Sequence, residues 1–337
     1  MSLAVLFGRD GLYLLDTIYG SSNSDWLRQI EAVEILRQVW IQQFYVESNL
    51  LQLREASNSP PAAILINSPY DTEARLGNKR SLTWSGYKVH LSETCDEDAP
   101  HLITHVETKP STTKDHEITE NVHQTLADQE LLPEQHFVDA GYIDAELLVT
   151  SKSHYNVDLI GPPPGDSQWQ SRAGKGFGLA DFNIDWDAKV VQCPQGKFSS
   201  LWKERLNLYQ QPVIYVRFNK SNCQSCPARS DCTRDKTGVR TLTLRPKQLH
   251  ETLFAARARQ QTPEFKEQYK ARSGIEGTIS QGTRAFGLRR CRYRGFPKTR
   301  LQHIITACAL NLVRVWEWWT DAYTFGTRPS RFASLAS

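Results

Sequence analysis

Gln135-His-Phe-Val-Asp139-Ala-Gly141-Tyr-Ile-Asp144 reads as a short apolar strand that ends on a carboxylate. Gly141 is suited to turning the chain there, and residues 145–154 then carry a helical pattern. Residues 157–160 follow as a second short strand, and Pro162-Pro-Pro-Gly165 closes the unit. Upstream, residues 86–94 and 101–108 alternate as strands around a polar turn of Asp96, Glu97 and Asp98, which predicts an antiparallel hairpin. Residues 115–130 read as a helix with Asp115 as its N-cap. The middle of the chain is therefore expected to be β-β-α-β-α-β, a mixed α/β layer. Open α/β sheets gather ligands at the carboxyl ends of their strands, where Asp139 stands.

Working outward, residues 25–45 have helical periodicity and residues 57–61 look like a linker. Residues 165–245 are rich in Gly, Trp, Gln and Cys with weak periodicity, and read as an insertion with its own small sheet. Helices are predicted over 247–262, 263–283 and 300–320. The expected division is a helical segment and linker at 1–60, the first part of the core at 61–164, and the insertion at 165–245. A helical second part of the core at 246–325 and a tail at 326–337 complete it.

At 337 residues the chain can bury a substantial core. The formal net charge is only +3, but its distribution is uneven. Between Lys270 and Arg300 stand nine Lys/Arg and one acid, Glu276. A local basic patch on a near-neutral body is the footprint of a polyanionic ligand. No signal-peptide pattern opens the chain, and Arg314 and Glu317 interrupt its most apolar run, so that run reads as a buried amphipathic helix. Seven unevenly spaced cysteines argue against a secreted disulfide framework and for a reduced, cytoplasmic protein.

Tyr269-Lys-Ala-Arg272-Ser-Gly-Ile-Glu276 puts a phenol, a guanidinium and a carboxylate on one face of a continuous helix. A single acid in a cationic field fits a metal ligand held where a polyanion binds. Asp139 and Glu276 are the candidate pair; a strand-capping Asp and a solvated helix Glu are the bland alternative. Arg284, Arg289, Arg290, Arg292 and Arg294 suit phosphate contacts. Cys193, Cys223, Cys226 and Cys232 include one Cys-x2-Cys knuckle and suit a tetrahedral structural Zn²⁺ in a loop-rich insertion. The glycine-rich stretch 172–178 lacks a phosphate-loop spacing and reads as a flexible loop. The histidines are scattered, and Trp316, Trp318 and Trp319 are expected to pack into the core.

These stretches together resemble DDE transposases of bacterial insertion sequences, in the branch with Tyr-x2-Arg-x3-Glu and a cysteine-bearing insertion. The matching text is Ser68-Pro-Tyr-Asp-Thr-Glu-Ala-Arg75, Trp84-Ser-Gly-Tyr-Lys-Val-His-Leu91, Val138-Asp139-Ala-Gly-Tyr142, the Cys193-Pro-Gln-Gly insertion, and Arg272-Ser-Gly-Ile-Glu276-Gly-Thr-Ile-Ser-Gln-Gly282. The resemblance implies a ribonuclease H-like mixed sheet with flanking helices, interrupted by a small zinc-ribbon-like insertion. It implies Mg²⁺ (or Mn²⁺) held by Asp, Asp and Glu, with water and then a freed 3′-hydroxyl attacking phosphodiesters of transposon-end and target DNA. By position Asp139 is the second Asp and Glu276 the Glu, while Tyr269 and Arg272 contact DNA near the cut. The family's basic residue seven positions after the Glu falls here on Thr283, with Arg284 next to it. The first Asp belongs to an opening strand that this chain lacks, so a truncated transposase with weakened or absent activity is expected. Asp71, ahead of the hairpin, and Asp96, in its turn, are the nearest substitutes, and Asp71 is the one taken as a site candidate. Double-stranded DNA and a second copy of the chain are the implied partners. The alternatives are a non-catalytic, zinc-stapled DNA-binding remnant and a metal-dependent nuclease using Asp71.

Overall fold

The computed structural model describes residues 2–20, 25–79 and 81–320. The tail expected at 326–337 lies outside them. The chain divides into two compact units, one made of everything up to Lys114 and from Ser273 onward, the other of Asp115–Arg272. In the first unit run α1 (Leu3–Gly20), α2 (Glu31–Gln43), β1 (Phe44–Glu47), β2 (Leu50–Leu53), β3 (Arg75–Lys79), β4 (Leu82–Glu93) and β5 (Ile103–Pro110). The second unit holds α3 (Thr119–Asp128), β6 (Gln135–Phe137), α4 (Ala145–Tyr155), β7 (Asp158–Ile160), α5 (Trp169–Ala173), β8 (Asn183–Asp185) and β9 (Val190–Gln192). It continues with β10 (Ser199–Leu206), β11 (Pro212–Phe218), α6 (Lys220–Gln224), α7 (Arg229–Cys232), β12 (Thr241–Leu244), α8 (Lys247–Gln260) and α9 (Pro263–Gln268). The chain then returns to the first unit with α10 (Gly274–Phe286) and α11 (Phe296–Trp319).

In the first unit β3, β4 and β5 form an antiparallel sheet. The hairpin predicted from alternation is present, with Tyr87 opposite Pro110 and His90 opposite Glu107. Helix α11 docks on this sheet. Its Asn311 amide accepts from the Ile103 N–H at 2.8 Å and donates to the Ile103 carbonyl at 2.9 Å. Thr108 Oγ1 lies 2.9 Å from His303 Nδ1, and Leu310 is fully buried beside Ile103 and Ala307. Arg314 reaches Glu93 at 3.0 Å, and Thr278 donates to the same carboxylate oxygen. That buried ion pair ties β4, α10 and α11 together, and breaking such a pair leaves an uncompensated charge.

In the second unit β6, α4 and β7 form a parallel strand–helix–strand unit. Asp144 caps α4 by accepting from the Leu147 N–H at 2.8 Å, and Asn156 ends it in the left-handed conformation. Val138, Ile143, Leu147 and Leu159 fill the space between strand and helix. The region 165–245 has the separate sheet expected of it. Strands β10, β11 and β12 are antiparallel, and Ile214, Val216, Phe218, Leu242 and Leu244 alternate inward to make its core.

Five expectations change, the first at Asp115, which opens a 3₁₀ turn instead of capping a helix: α3 starts at Thr119, after Ile118 and with no side-chain cap. The hairpin and the parallel pair are separate sheets in different units, so the named strands do not make one continuous mixed layer. The helix predicted over 263–283 is broken: α9 ends at Gln268, a 3₁₀ turn covers Tyr269–Ser273, and α10 starts at Gly274. The glycine-rich stretch 172–178 is pinned rather than loose, because Phe177 N–H donates to the Asp231 carbonyl at 2.9 Å. Finally, Trp316, Trp318 and Trp319 are exposed, Trp319 at 83%. The inward face of α11 is already taken by Thr299, His303, Thr306, Ala307, Leu310 and Arg314, so the tryptophans fall on the other side.

Candidate active site

Asp139 follows β6 at its carboxyl end and initiates the 3₁₀ turn Ala140–Tyr142 by accepting from the Ala140 N–H at 2.8 Å. Its side chain is more than half exposed. The other carboxylate oxygen faces Arg272 at 3.6 Å, longer than a hydrogen bond but close enough for a strong field. Tyr269 donates to the Val138 carbonyl at 3.0 Å, which fixes the phenol against the strand that carries Asp139. Tyr269 and Arg272 share a 3₁₀ turn, where residues three apart eclipse, so both side chains project to the same side. The sequence spacing therefore brings these two to Asp139, although by a different helix than expected.

A second acid belongs to this neighbourhood and was missed as such. A Cβ on Gly141 would stand 3.1 Å from Asp115 Oδ2, so the turn after Asp139 accepts only glycine without movement. The Tyr142 phenol is pushed above its ordinary range, first by burial and then by the charges of Asp115 and Asp139, against the pull of Arg272. The sequence signal was the helix start at Asp115, which read as a cap alone. Another missed feature lies nearby: buried His123 sets its Nε2 2.9 Å from His136 Nδ1. Histidines on a helix and a strand give no spacing rule that would reveal such a pair.

Glu276 lies in the other unit, exposed in the first turn of α10. Thr283 bonds back to the Ile279 carbonyl at 2.7 Å, and Arg284 is exposed. Gly287 ends α10 in the left-handed conformation, and the Leu288 N–H returns to the Gly282 carbonyl at 3.0 Å. The loop that follows presents Arg289, Arg290, Arg292 and Arg294, all exposed. Its backbone is held rather than free. Gln302 donates to the Arg290 carbonyl at 3.0 Å and accepts from the Arg292 N–H at 2.9 Å. The Arg294 guanidinium sits 4.7 Å from the Tyr70 ring centre. A fixed backbone with arginine heads in solvent suits a phosphate backbone.

Asp71 anchors this loop. Its Oδ2 accepts from the Gly295 N–H at 2.8 Å, and its Oδ1 accepts from the Tyr87 hydroxyl at 2.7 Å and from the Ala74 N–H at 3.1 Å. Both oxygens are occupied by protein donors.

The four insertion cysteines line one cavity of about 40 Å³ with Phe177, Phe218 and Arg240. Cys193 opens a tight turn in which its N–H meets the Lys197 carbonyl at 2.8 Å, and Gly196 supplies the positive φ that the turn requires. Cys223 and Cys226 come from α6 and the turn after it, and Cys232 from the end of α7. The Cys232 thiol is pushed up to about 11, chiefly by burial, with Arg240 opposing and Cys223, Cys193 and Cys226 adding to the rise. The four sulfurs are thus electrostatic neighbours. Even so, among the described residues no group of three or more His, Cys, Asp or Glu stands in metal-holding geometry. No helix among them is long and apolar enough to cross a membrane.

Comparison with protein families matches residues 192–316 to the transposase DDE domain. The matched stretch contains the four cysteines, Tyr269, Arg272, Glu276 and the arginine loop; Asp71 and Asp139 precede it. Neither the curated proteins nor the solved structures provide a match.

Proposed function

We propose that the chain, whose residues 192–316 match the transposase DDE domain, is the transposase of an insertion sequence. It acts in the cytoplasm on double-stranded DNA, at the element's ends and at its target, by metal-dependent phosphodiester cleavage and strand transfer. One observation carries the reading: an exposed Asp139 at the carboxyl end of a parallel strand, with Arg272 and Tyr269 built around it. Asp139 and Glu276 supply hard oxygen donors of the kind that Mg²⁺ or Mn²⁺ takes. When bound, such a cation activates a phosphodiester and its attacking hydroxyl as a Lewis acid. Arg272 offers its charge to the phosphate beside Asp139, and Tyr269 holds that stretch of backbone in place. The arginines of the loop take phosphates along the duplex and set its register. A ribonuclease H-like core and a pair of chains on the DNA complete this reading.

The test uses a duplex taken from the DNA flanking the gene, with Mn²⁺ as the metal. Whatever cleavage the wild-type chain shows, weakened as the resemblance implies, is expected to fall about 10³-fold or more in Asp139→Ala and in Glu276→Ala while salt-sensitive binding persists. Cleavage unchanged in both variants would remove the acidic pair from the chemistry. A second reading, DNA binding without cleavage, is favoured by Asp71, whose Oδ2 holds the arginine loop at Gly295 while its Oδ1 is taken by Tyr87 and Ala74. Binding with no cleavage in either metal decides for it.

The cysteine cavity is proposed as a zinc-ribbon-like structural site held by Cys193, Cys223, Cys226 and Cys232. A bound cation reverses the electrostatics that now keep the Cys232 thiol protonated. Metal analysis of the purified chain should find one zinc per chain, and chelation should lower the melting temperature. A chain free of zinc with unchanged stability in chelator sinks the assignment.

A further inference from the structure

Helix α11 carries a second pattern on the face turned away from the sheet. Leu301, Ile305, Cys308, Leu312, Val315 and Trp319 follow one another at alternating intervals of four and three residues. That is the 3.5-residue repeat of a helix-pairing seam. All six are exposed, Leu312 at 71%, Ile305 at 58% and Leu301 at 55%, and Trp316 beside them is 69% exposed. The stripe runs about 27 Å along the helix. A soluble chain rarely leaves so long a contiguous apolar stripe uncovered.

We infer that this stripe is the interface with a second copy of the chain, α11 pairing with α11. Within 301–319 the positions flanking the seam are Gln302, Ile304, Ala309, Asn311, Trp316 and Trp318, none of them charged; the exposed Lys298 lies one step before the seam begins. The absence of a cation from the stripe also separates it from the arginine loop, and so from the surface suited to a polyanion. Trp316 and Trp319 together offer roughly 300 Å². With the aliphatic members the stripe reaches on the order of 600 Å² per copy, the scale of the roughly 800 Å² per partner in a standard specific interface. A two-fold pairing uses one patch twice, so a stripe that repeats with itself is sufficient. The inference rests on the helix face alone and stands whether or not the chain cleaves DNA.

Light scattering on the full chain is expected to give twice its 38.4 kDa mass. Ile305→Glu combined with Leu312→Glu should halve that mass while leaving far-UV helicity intact. A second measurement does not depend on how the variant folds. In a Cys95→Ser, Cys291→Ser background, a flexible bismaleimide should join two chains through Cys308, and Cys308→Ser should abolish the product. Cys308 lies near the middle of the stripe, so either relative direction of the two helices brings the thiols within reach. A monomeric wild-type chain overturns the inference. A dimer that survives the double glutamate variant, or that gives no Cys308 product, overturns it as well.

Discussion

A side-chain carbon on residue 161 would stand 2.6 Å from the carbonyl oxygen of Val138. That oxygen also accepts from Tyr269, and the Val138 N–H donates to the Ile160 carbonyl at 2.8 Å. The backbone just ahead of Asp139 is thus clamped from three sides. Gly161→Ala is expected to lower the stability of the second unit by about 1–3 kcal/mol, since a backbone atom cannot step aside as a flexible side chain can. A urea titration reads this directly, and an unchanged midpoint would mean that the strand end yields more easily than its contacts imply. At this scale the sequence was partly transparent. An apolar run ending in Asp, then a glycine, announces a carboxylate at a strand's end. The approach of Arg272 to it was not announced, because residues so distant along the chain meet only through the fold. Asp71 shows the opposite limit: a carboxylate in a motif looks the same whether it meets a cation or, as here, three protein donors.

Helices and loops show where periodicity misleads. The pattern over 263–283 is helical throughout, yet Ser273 and Gly274 let the chain tighten into a 3₁₀ turn between α9 and α10. For α11 the helix itself was legible, but the side facing the core was not. Its outward face is the more apolar one and its inward face carries Thr299, His303, Thr306 and Arg314, so hydropathy alone would turn the wrong side to the sheet. The hydrogen bonds of Asn311 to Ile103 decide it. The arginines of the loop stand in solvent, and their exposure makes a quantitative expectation possible. Replacing Arg289, Arg290, Arg292 and Arg294 by Gln should reduce the slope of log K against log salt by about 3–4 if each meets one phosphate. Titrations of duplex binding across a salt series measure this. A slope that stays the same would place the phosphate contacts elsewhere.

Across the whole molecule the chain makes two units, and the first is closed by segments from both ends. The buried histidines give both a pH dependence of one sign. Burial lowers His123 from 6.5 to about 4, and it also lowers His105, His250 and His303. Between those two values the unfolded chain binds the proton that the folded chain refuses, so stability falls as pH drops from 6.5 toward 4. For His123 the full difference is at most about 3 kcal/mol. Urea midpoints should fall between pH 7 and pH 5, and His123→Gln should flatten part of that fall; an equal fall in the variant would assign the effect to other groups. By itself the sequence determined the local elements: the hairpin, the strand–turn–helix at Asp139, the separate small sheet of the cysteine-bearing insertion and the exposed arginine loop. Each is written in neighbouring residues, through side-chain alternation, turn chemistry and charge density. Only the tertiary structure decided that the hairpin and the parallel pair are separate sheets, that Asp71 is held by protein donors, and that the tryptophans of α11 face solvent. Those outcomes depend on which distant surfaces meet first and fill the available core, and no local pattern encodes that competition.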